Sequence, residues 1–272
     1  MNRVRLGAVG YLNARPLVYG LERSPRFEVR FDVPSRCAAL LHAGDIDVGL
    51  IPSIEYLRGG TRGAYRIVPD LAIASRGAVA SVAIYTARDM RDVTTIALDT
   101  SSRTSVALVS VLCARLFKIQ PVLESRGPDL DDMLAHADAA LIIGDNALLL
   151  ETEGRGRNGR AIQKIDLGEA WWKLTGLPFV YAFWAGRGGA LATDDLAALQ
   201  AARDAGVQRP EEIGRAYFDD PALQARAARY LRDNIKYDLG ADERAGLETF
   251  YRYAAELTLV AAAGPVEFFE RP

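Results

Sequence analysis

Apolar and polar positions follow two different periods along the first two-thirds of the chain. Short apolar runs such as residues 46–51 (IDVGLI) and 139–143 (AALII) are typical of buried β-strands. Between such runs, apolar residues recur at helical spacing. After residue 190 only the helical period remains, with many charged residues between the apolar positions. This alternation predicts an α/β fold with a mainly parallel sheet and helices on both faces.

The same patterns predict where each element lies. Strands are predicted at residues 4–9, 27–32, 46–51, 80–86, 94–99, 119–123, 139–143, 161–166 and 179–185. Helices are predicted at residues 14–22, 35–43, 53–58, 103–117, 129–136, 145–151, 169–175, 194–206, 210–217, 221–233 and 242–260.

The order of these elements predicts two lobes. Residues 1–86 together with 187–272 are expected to form the first, discontinuous lobe, and residues 87–186 the second. The chain then crosses between the lobes twice, near residues 81–86 and near residues 180–186, along extended apolar segments. A ligand is expected in the cleft between the lobes.

Composition narrows the classes of function. The 272 residues are 50% hydrophobic and 25% charged, with a net charge of −2, which is ordinary for a soluble globular protein. The near-neutral balance argues against a nucleic-acid partner. We find neither an apolar run of the roughly 20 residues that a membrane helix needs nor a signal-peptide pattern. We therefore expect a cytoplasmic protein that does not bind membranes, and the sequence leaves its oligomeric state open.

Metal and cofactor motifs are missing from the sequence. Its histidines, His42 and His136, lie on predicted helices away from strand ends, and no Cys/His cluster has metal-ligand spacing. No GxGxxG motif follows the first strand, and no nucleophile-elbow pattern surrounds a serine. We expect no metal and no cofactor.

Three predicted helices lack the acidic residue that usually occupies a first turn. They begin at Asn13, at Ser35 and at the turn 100–105 (TSSRTS), each with a good N-cap residue and a nearby arginine. Helices after residue 190 begin with the expected acids. A helix start carries unpaired N–H groups and partial positive charge, so an acid-free start after a strand is suited to bind an anion. The alternative is that arginine lies near these caps by chance.

Five strand-to-helix junctions supply candidate site residues. Their amide, hydroxyl and guanidinium groups suit hydrogen bonding and anion capture better than metal binding. They include two carboxylates as candidate bases. The junctions are Asn13 with Arg15, Ser35, Ser53 with Glu55, Ser101 to Ser105, and Asp145 with Asn146.

Four segments at these junctions carry a resemblance to a known family. They are residues 9–17 (VGYLNARPL), 33–38 (VPSRCA), 47–56 (DVGLIPSIEY) and 100–105 (TSSRTS). In this order they resemble the chorismate dehydratases of the futalosine route to menaquinone. The resemblance implies the two-lobed fold of type II periplasmic binding proteins, used as a lyase without a cofactor. The substrate it implies is chorismate, a dicarboxylate that loses water to give 3-[(1-carboxyvinyl)oxy]benzoate.

The resemblance also gives the candidate residues roles. Asn13 is expected to polarise the reacting region, and Ser81 to hydrogen-bond the substrate. Asp145 is the protein's candidate base, ranked just behind the substrate's own enolpyruvyl carboxylate. The substrate-binding candidates are Arg15, Ser35, Ser53, Ser102, Arg103, Thr104, Ser105 and Asn146.

Two rival functions stay open. The related 1,4-dihydroxy-6-naphthoate synthases have a similar hydroxyl-rich turn, but they typically carry a histidine where this chain has Gly144 and Asp145. That difference favours the dehydratase. The other rival is a protein that binds a small anion without chemistry.

Overall fold

A computed structural model describes residues 3–59, 65–150 and 159–270, which contain two mixed β-sheets surrounded by helices. The strands are β1 (Val4–Val9), β2 (Phe27–Asp32), β3 (Val48–Pro52), β4 (Tyr65–Ile67), β5 (Ile73–Ser75), β6 (Val82–Thr86), β7 (Thr95–Asp99), β8 (Val122–Arg126), β9 (Ala139–Ile143), β10 (Gln163–Asp166) and β11 (Phe179–Arg187). The first sheet has the order β2-β1-β3-β11-β4, with β5 also paired to β11. The second has the order β10-β6-β9-β7-β8.

Helices connect and cover these strands. The α-helices are α1 (Pro34–Ala43), α2 (Glu55–Arg58), α3 (Arg103–Leu112), α4 (Leu130–His136), α5 (Gly144–Leu149), α6 (Leu167–Thr175), α7 (Thr193–Val207), α8 (Pro210–Tyr217), α9 (Pro221–Arg229) and α10 (Ala241–Glu256). A 3₁₀ helix spans Leu12–Val18, and π-helical turns at Cys113–Phe117 and Tyr230–Asn234 extend α3 and α9.

Strand direction differs from the expectation. β1 runs parallel to β2 and β3, and β7 runs parallel to β8 and β9. In contrast, β6 and β11 run antiparallel to their neighbours. The prediction of a mainly parallel sheet is therefore wrong. The chain enters the second sheet through β6 and returns to the first through β11, and alternation of strands and helices does not encode the direction of such strands.

Sheet membership also differs from the predicted lobe limits at two strands. The limits 1–86 with 187–272 and 87–186 place β6 in the first lobe and most of β11 in the second. The hydrogen bonds place β6 in the second sheet and β11 in the first. An extended apolar segment satisfies its backbone N–H and C=O groups by pairing within a sheet. The chain therefore passes between the two sheets just before β6 and just before β11. The division into lobes itself stays a prediction.

Most element positions match the sequence pattern, with two kinds of difference. β4 and β5 were not predicted, because three residues are too few for a periodic signal. β8 begins at Val122 instead of residue 119, in register with Thr95 of β7. Val122 is 60% exposed, so burial does not constrain where this edge strand begins.

Buried apolar side chains form two clusters. The larger spans the first sheet and the adjacent face of the second. The smaller, which includes Tyr85, Met133 and Ile142, lies on the other face of the second sheet. Every residue of β9 is buried, which explains its uninterrupted apolar sequence. Within the parts of the chain that are described, no helix is long and apolar enough to cross a membrane.

A buried carboxylate joins the two sheets next to the cleft. Glu55, which begins α2 after β3, is 1% exposed. Its Oε2 accepts a hydrogen bond from Nη1 of Arg103 at 2.7 Å. Arg58 and His42 hold the same carboxylate at 2.9 and 3.0 Å. Burial alone raises the pKa of Glu55, but the hydrogen bonds from His42 and Arg58 and the charge of Arg103 outweigh burial and lower it to about 2.

Replacement of this carboxylate tests its contribution to stability. Because the folded-state pKa of Glu55 lies below the ordinary value of 4.5, its stabilisation is present above that pH and lost as the pH falls towards 2. Glu55→Gln is expected to lower the free energy of unfolding at pH 7 by about 3 kcal/mol. The difference from wild type should shrink between pH 5 and pH 2 in urea titrations.

Glu211→Gln is the matched control, since Glu211 also pairs with an arginine but is about half exposed. It should change the unfolding free energy little at any pH. A constant difference between wild type and Glu55→Gln across this pH range would contradict the lowered pKa.

Candidate active site

A small cavity lies between the two sheets, where strands of both end. Its volume is about 40 Å³, and its walls come from the ends of β1, β3 and β9, the crossing before β6 and the start of α3. Four of the predicted site residues line it: Asn13, Ser81, Ser102 and Ser105. Its other walls are mainly apolar and aromatic, including Tyr11, Ile143 and Tyr181. The fold thus brings predicted residues that are far apart in the sequence around one space.

The sequence pattern predicted Asn13 as the N-cap of the first helix. That prediction is wrong, because Asn13 lies inside the 3₁₀ helix. The N-cap is Tyr11, whose side chain makes no capping hydrogen bond. Tyr237 donates its phenol hydrogen to the Asn13 backbone oxygen at 2.9 Å. The side-chain Oδ1 of Asn13 is buried and has no hydrogen-bond partner among the described residues. A buried acceptor of this kind is costly unless a ligand or water satisfies it.

Ser35 is likewise not an N-cap. Val33 takes that position and Pro34 follows at the first helical position, where a missing N–H costs nothing. Ser35 therefore lies within the first turn, and its N–H donates to the backbone oxygen of Ser101 at 3.0 Å. It connects the two sheets and does not line the cavity.

The missing acid at the first helix start is supplied by the other sheet. Asp145, in the first turn of α5, accepts the N–H of Leu12 at 3.1 Å through Oδ1. Its other oxygen accepts the phenol hydrogen of Tyr217. Burial raises the pKa of Asp145, while the hydrogen bonds from Tyr217 and Leu12 and the charge of Arg15 act against that rise. Both carboxylate oxygens are thus held by protein groups, and Asp145 does not line the cavity.

The two neighbours of Asp145 in the sequence have different surroundings. Gly144 has φ of +64°, and an added Cβ would lie 2.9 Å from the ring of Tyr11. A glycine is required there because the aromatic ring closes directly onto the start of α5. Asn146 is exposed at the surface and does not reach the cavity.

Arg15 is held between two aromatic rings. Its guanidinium carbon lies 4.6 Å from the ring centroid of Phe31 and 5.1 Å from that of Tyr217. Its Nη2 donates to the backbone oxygen of Gly10 at 3.2 Å. Arg15 lines a separate cavity of about 410 Å³ and is not part of the wall between the sheets.

Some side chains at the hydroxyl-rich turn before α3 line the cavity, and others contact the first sheet. Ser102 is the N-cap and accepts the N–H of Ser105, and both residues line the cavity. Thr104 faces the first sheet instead, where its Oγ1 accepts the N–H of Ile54 at 3.1 Å. The Arg103 guanidinium is paired with Glu55, as described above.

Ser53 is also occupied by protein groups. It is fully buried, donates its hydroxyl to the Val180 backbone oxygen at 2.8 Å, and lies 3.4 Å from Thr104 Oγ1. Ser53, Arg103 and Thr104 thus support the cleft from outside the cavity wall.

Sequence patterns missed the tyrosines of the site. Tyr11 follows the first strand within residues 9–17, one of the segments that carry the family resemblance, so its position beside the site is detectable in the sequence. Tyr230, in contrast, lies in the C-terminal helices and donates its phenol hydrogen to Ser81 Oγ at 2.7 Å. No local pattern marks it. Within residues 3–59, 65–150 and 159–270, no three His, Cys, Asp or Glu side chains are grouped to hold a metal ion.

Comparison with known proteins adds to this geometry. A family model described as menaquinone biosynthesis matches residues 4–256. The chain is 31% identical to the chorismate dehydratase of Thermus thermophilus over 90% of this chain and 93% of the relative. It is 28% identical to the chorismate dehydratase of Campylobacter jejuni over 93% of this chain and 98% of the relative.

Solved structures resemble the whole fold. The Candida albicans protein CA3427, described as having the generic periplasmic binding protein structural fold, superposes with a TM-score of 0.62. It is 12% identical, and the match covers 97% of this chain and 92% of that one. The periplasmic-binding-protein-like fold that the family resemblance implied is confirmed. With the family match extending over nearly all of its length, this chain belongs to the menaquinone biosynthesis family.

Proposed function

We propose that this chain is a chorismate dehydratase, a hydro-lyase that converts chorismate to 3-[(1-carboxyvinyl)oxy]benzoate and water. The observation that carries this proposal is the near full-length similarity to two relatives of that name. The cavity between the sheets supports it, because its amide and hydroxyl groups suit a hydroxylated, dicarboxylate ring.

The reaction needs little from the protein beyond positioning. A base removes the proton from one ring carbon, and the carbon–oxygen bond on the neighbouring carbon breaks. The departing hydroxide combines with that proton, so one molecule of water is released. The remaining ring becomes aromatic, which supplies a large driving force. The protein has to hold the two carboxylates and stabilise charge as it develops on the leaving oxygen.

The start of α3 is our proposed site for one carboxylate. Ser102 and Ser105 line the cavity there, next to the unpaired N–H groups of a helix whose first turn holds no acid. Asn13 and Ser81 stand on the other walls, near the reacting part of the ring. Thr104, Arg103 and Ser53 act indirectly, since protein atoms already occupy their polar groups.

Substrate entry requires the cleft to open. The cavity of about 40 Å³ is far smaller than the roughly 300 Å³ or more of small-molecule sites. We propose that the sheets separate about the two crossings, of which the first contains Ala80 with φ of +65°. Closure then excludes water and brings Asn13 and Ser81 onto the substrate.

The substrate's enolpyruvyl carboxylate is our proposed base. Asp145 has each oxygen engaged, by Leu12 and by Tyr217. Glu55 is held by two arginines and a histidine, and its low pKa makes it a weak base. A carboxylate carried by the substrate needs no free acceptor in the protein.

Direct assay tests the function. Purified protein should convert chorismate to the aromatic enolpyruvyl ether, followed by ultraviolet absorbance and by mass spectrometry of the product. Saturable binding with chorismate recovered intact would instead identify a small-anion binding protein. Turnover of cyclic de-hypoxanthine futalosine, with chorismate untouched, would identify the 1,4-dihydroxy-6-naphthoate synthase activity.

Asn13 is expected to contribute directly to turnover. Asn13→Ala removes a preorganised polar group from the cavity and should lower kcat/KM by about 30-fold to 10³-fold, or about 2–4 kcal/mol. Steady-state kinetics on chorismate measure the change. Gln208→Ala, which removes an exposed amide after α7, serves as the control and should match wild type. Unchanged turnover in Asn13→Ala would remove Asn13 from the mechanism.

Two substitutions at Asp145 separate a structural role from that of a base. Asp145→Asn keeps an acceptor for Leu12 and should lower kcat less than about tenfold, whereas a lost general base costs about 10²–10⁴-fold. Asp145→Ala leaves the Leu12 N–H without its acceptor and Tyr217 with only the Gly10 backbone oxygen, so it should lower the melting temperature as well. A loss in Asp145→Asn within the range for a general base, with stability retained, would show that Asp145 is the base.

A further inference from the structure

Tyr230 lies behind the wall of the cavity and hydrogen-bonds to Ser81, which is part of that wall. The residue is 3% exposed and begins the π-helical turn Tyr230–Asn234 at the end of α9. Such turns occur frequently at functional sites. Tyr230 lies 149 positions after Ser81, yet its phenol oxygen is 2.7 Å from the serine Oγ. The C-terminal helices therefore reach one of the two residues expected to act on the substrate.

The hydrogen bond between this phenol and Ser81 has a defined direction. Tyr230 donates its only hydrogen to Ser81 Oγ at 2.7 Å. Burial raises the pKa of Tyr230, so the phenol keeps that hydrogen. Ser81 is therefore the acceptor in this pair.

This direction determines what Ser81 presents to the cavity. A serine hydroxyl has one hydrogen, and here its oxygen already accepts the hydrogen of Tyr230. Ser81 lines the cavity at 1% exposure, so its own hydrogen is available there as a donor. Asn13 lines the same cavity, and its buried Oδ1 has no partner among the described residues, so it is available as an acceptor. The two groups therefore have opposite hydrogen-bonding character.

We propose that Tyr230 is a positioning residue that makes Ser81 a hydrogen-bond donor to one hydroxyl group of the substrate, with Asn13 Oδ1 as the acceptor for that same hydroxyl. A hydroxyl satisfies both groups, since it accepts one hydrogen bond and donates another. During dehydration the Ser81 hydrogen stabilises the negative charge that develops on the leaving oxygen. The inference rests on the proposed dehydratase function and extends it to a residue that never touches the substrate.

A double-mutant cycle between Tyr230 and Ser81 tests this role. Tyr230→Phe keeps the ring and removes only the donor. We expect it to lower kcat about tenfold with KM within about threefold of wild type, because a group that acts through the transition state changes kcat. In a Ser81→Ala background, the same substitution should have no further effect. The Kd for the product, which lacks the leaving hydroxyl, should stay close to the wild-type value in all variants and so shows that each keeps an intact cleft.

Tyr85→Phe is the matched control. Tyr85 is fully buried and donates its phenol hydrogen to the Ala147 backbone oxygen at 3.2 Å, away from the cavity wall. It should leave kcat unchanged, and thermal melts show whether both tyrosine variants remain folded.

The outcomes separate this inference from the proposed function. If the wild-type protein does not convert chorismate, the proposed function fails first. If wild type is active, unchanged kcat in Tyr230→Phe overturns the positioning role. Effects of Tyr230→Phe and Ser81→Ala that multiply in the double variant also overturn it, because Tyr230 would then act independently of Ser81. Loss of kcat in Tyr230→Phe that vanishes without Ser81 supports it.

Discussion

The helix starts of the first sheet depend on oxygen atoms from the second sheet. Leu12 donates its N–H to Asp145, Ile54 donates to Thr104, and Ser35 donates to the backbone of Ser101. Helix starts leave such donors unsatisfied within the helix, and a buried unpaired donor costs about 1–3 kcal/mol. The cleft can therefore close only where each donor meets its acceptor. These contacts set the spacing between the sheets and hence the position of every group around the cavity.

The same contacts explain the acid-free helix starts. The sequence suggested that bound anions complete all of them. At the 3₁₀ helix, the carboxylate comes from Asp145 on the opposite side of the cleft. At α3, Ser102 caps the helix and still faces the cavity with Ser105. Residues of the acid-free starts at Asn13 and at α3 line the cavity, whereas Ser35 does not. The group that completes the start therefore differs from one helix to the next.

Much of the fold could be predicted because burial produces periodic sequence. β9 is buried throughout and has an unbroken apolar run, and α3 begins where the hydroxyl-rich turn predicts. Prediction failed where that constraint is weak. The exposed edge strand β8 was displaced by three residues, and Pro34 moved the cap of α1 to Val33. The antiparallel direction of β6 and β11 depends on pairing between distant segments.

The amino-acid sequence alone determined where most of the strands and helices lie and which strand-end junctions carry polar side chains. It also carried the motifs that resemble the family. Only the tertiary structure decided which of those side chains line the cavity and which are hydrogen-bonded or ion-paired to other groups of the same chain. It also brought Tyr230 onto Ser81. The physical reason is that periodicity records burial along one element, whereas hydrogen-bond partners and their direction depend on contacts between residues far apart in the chain.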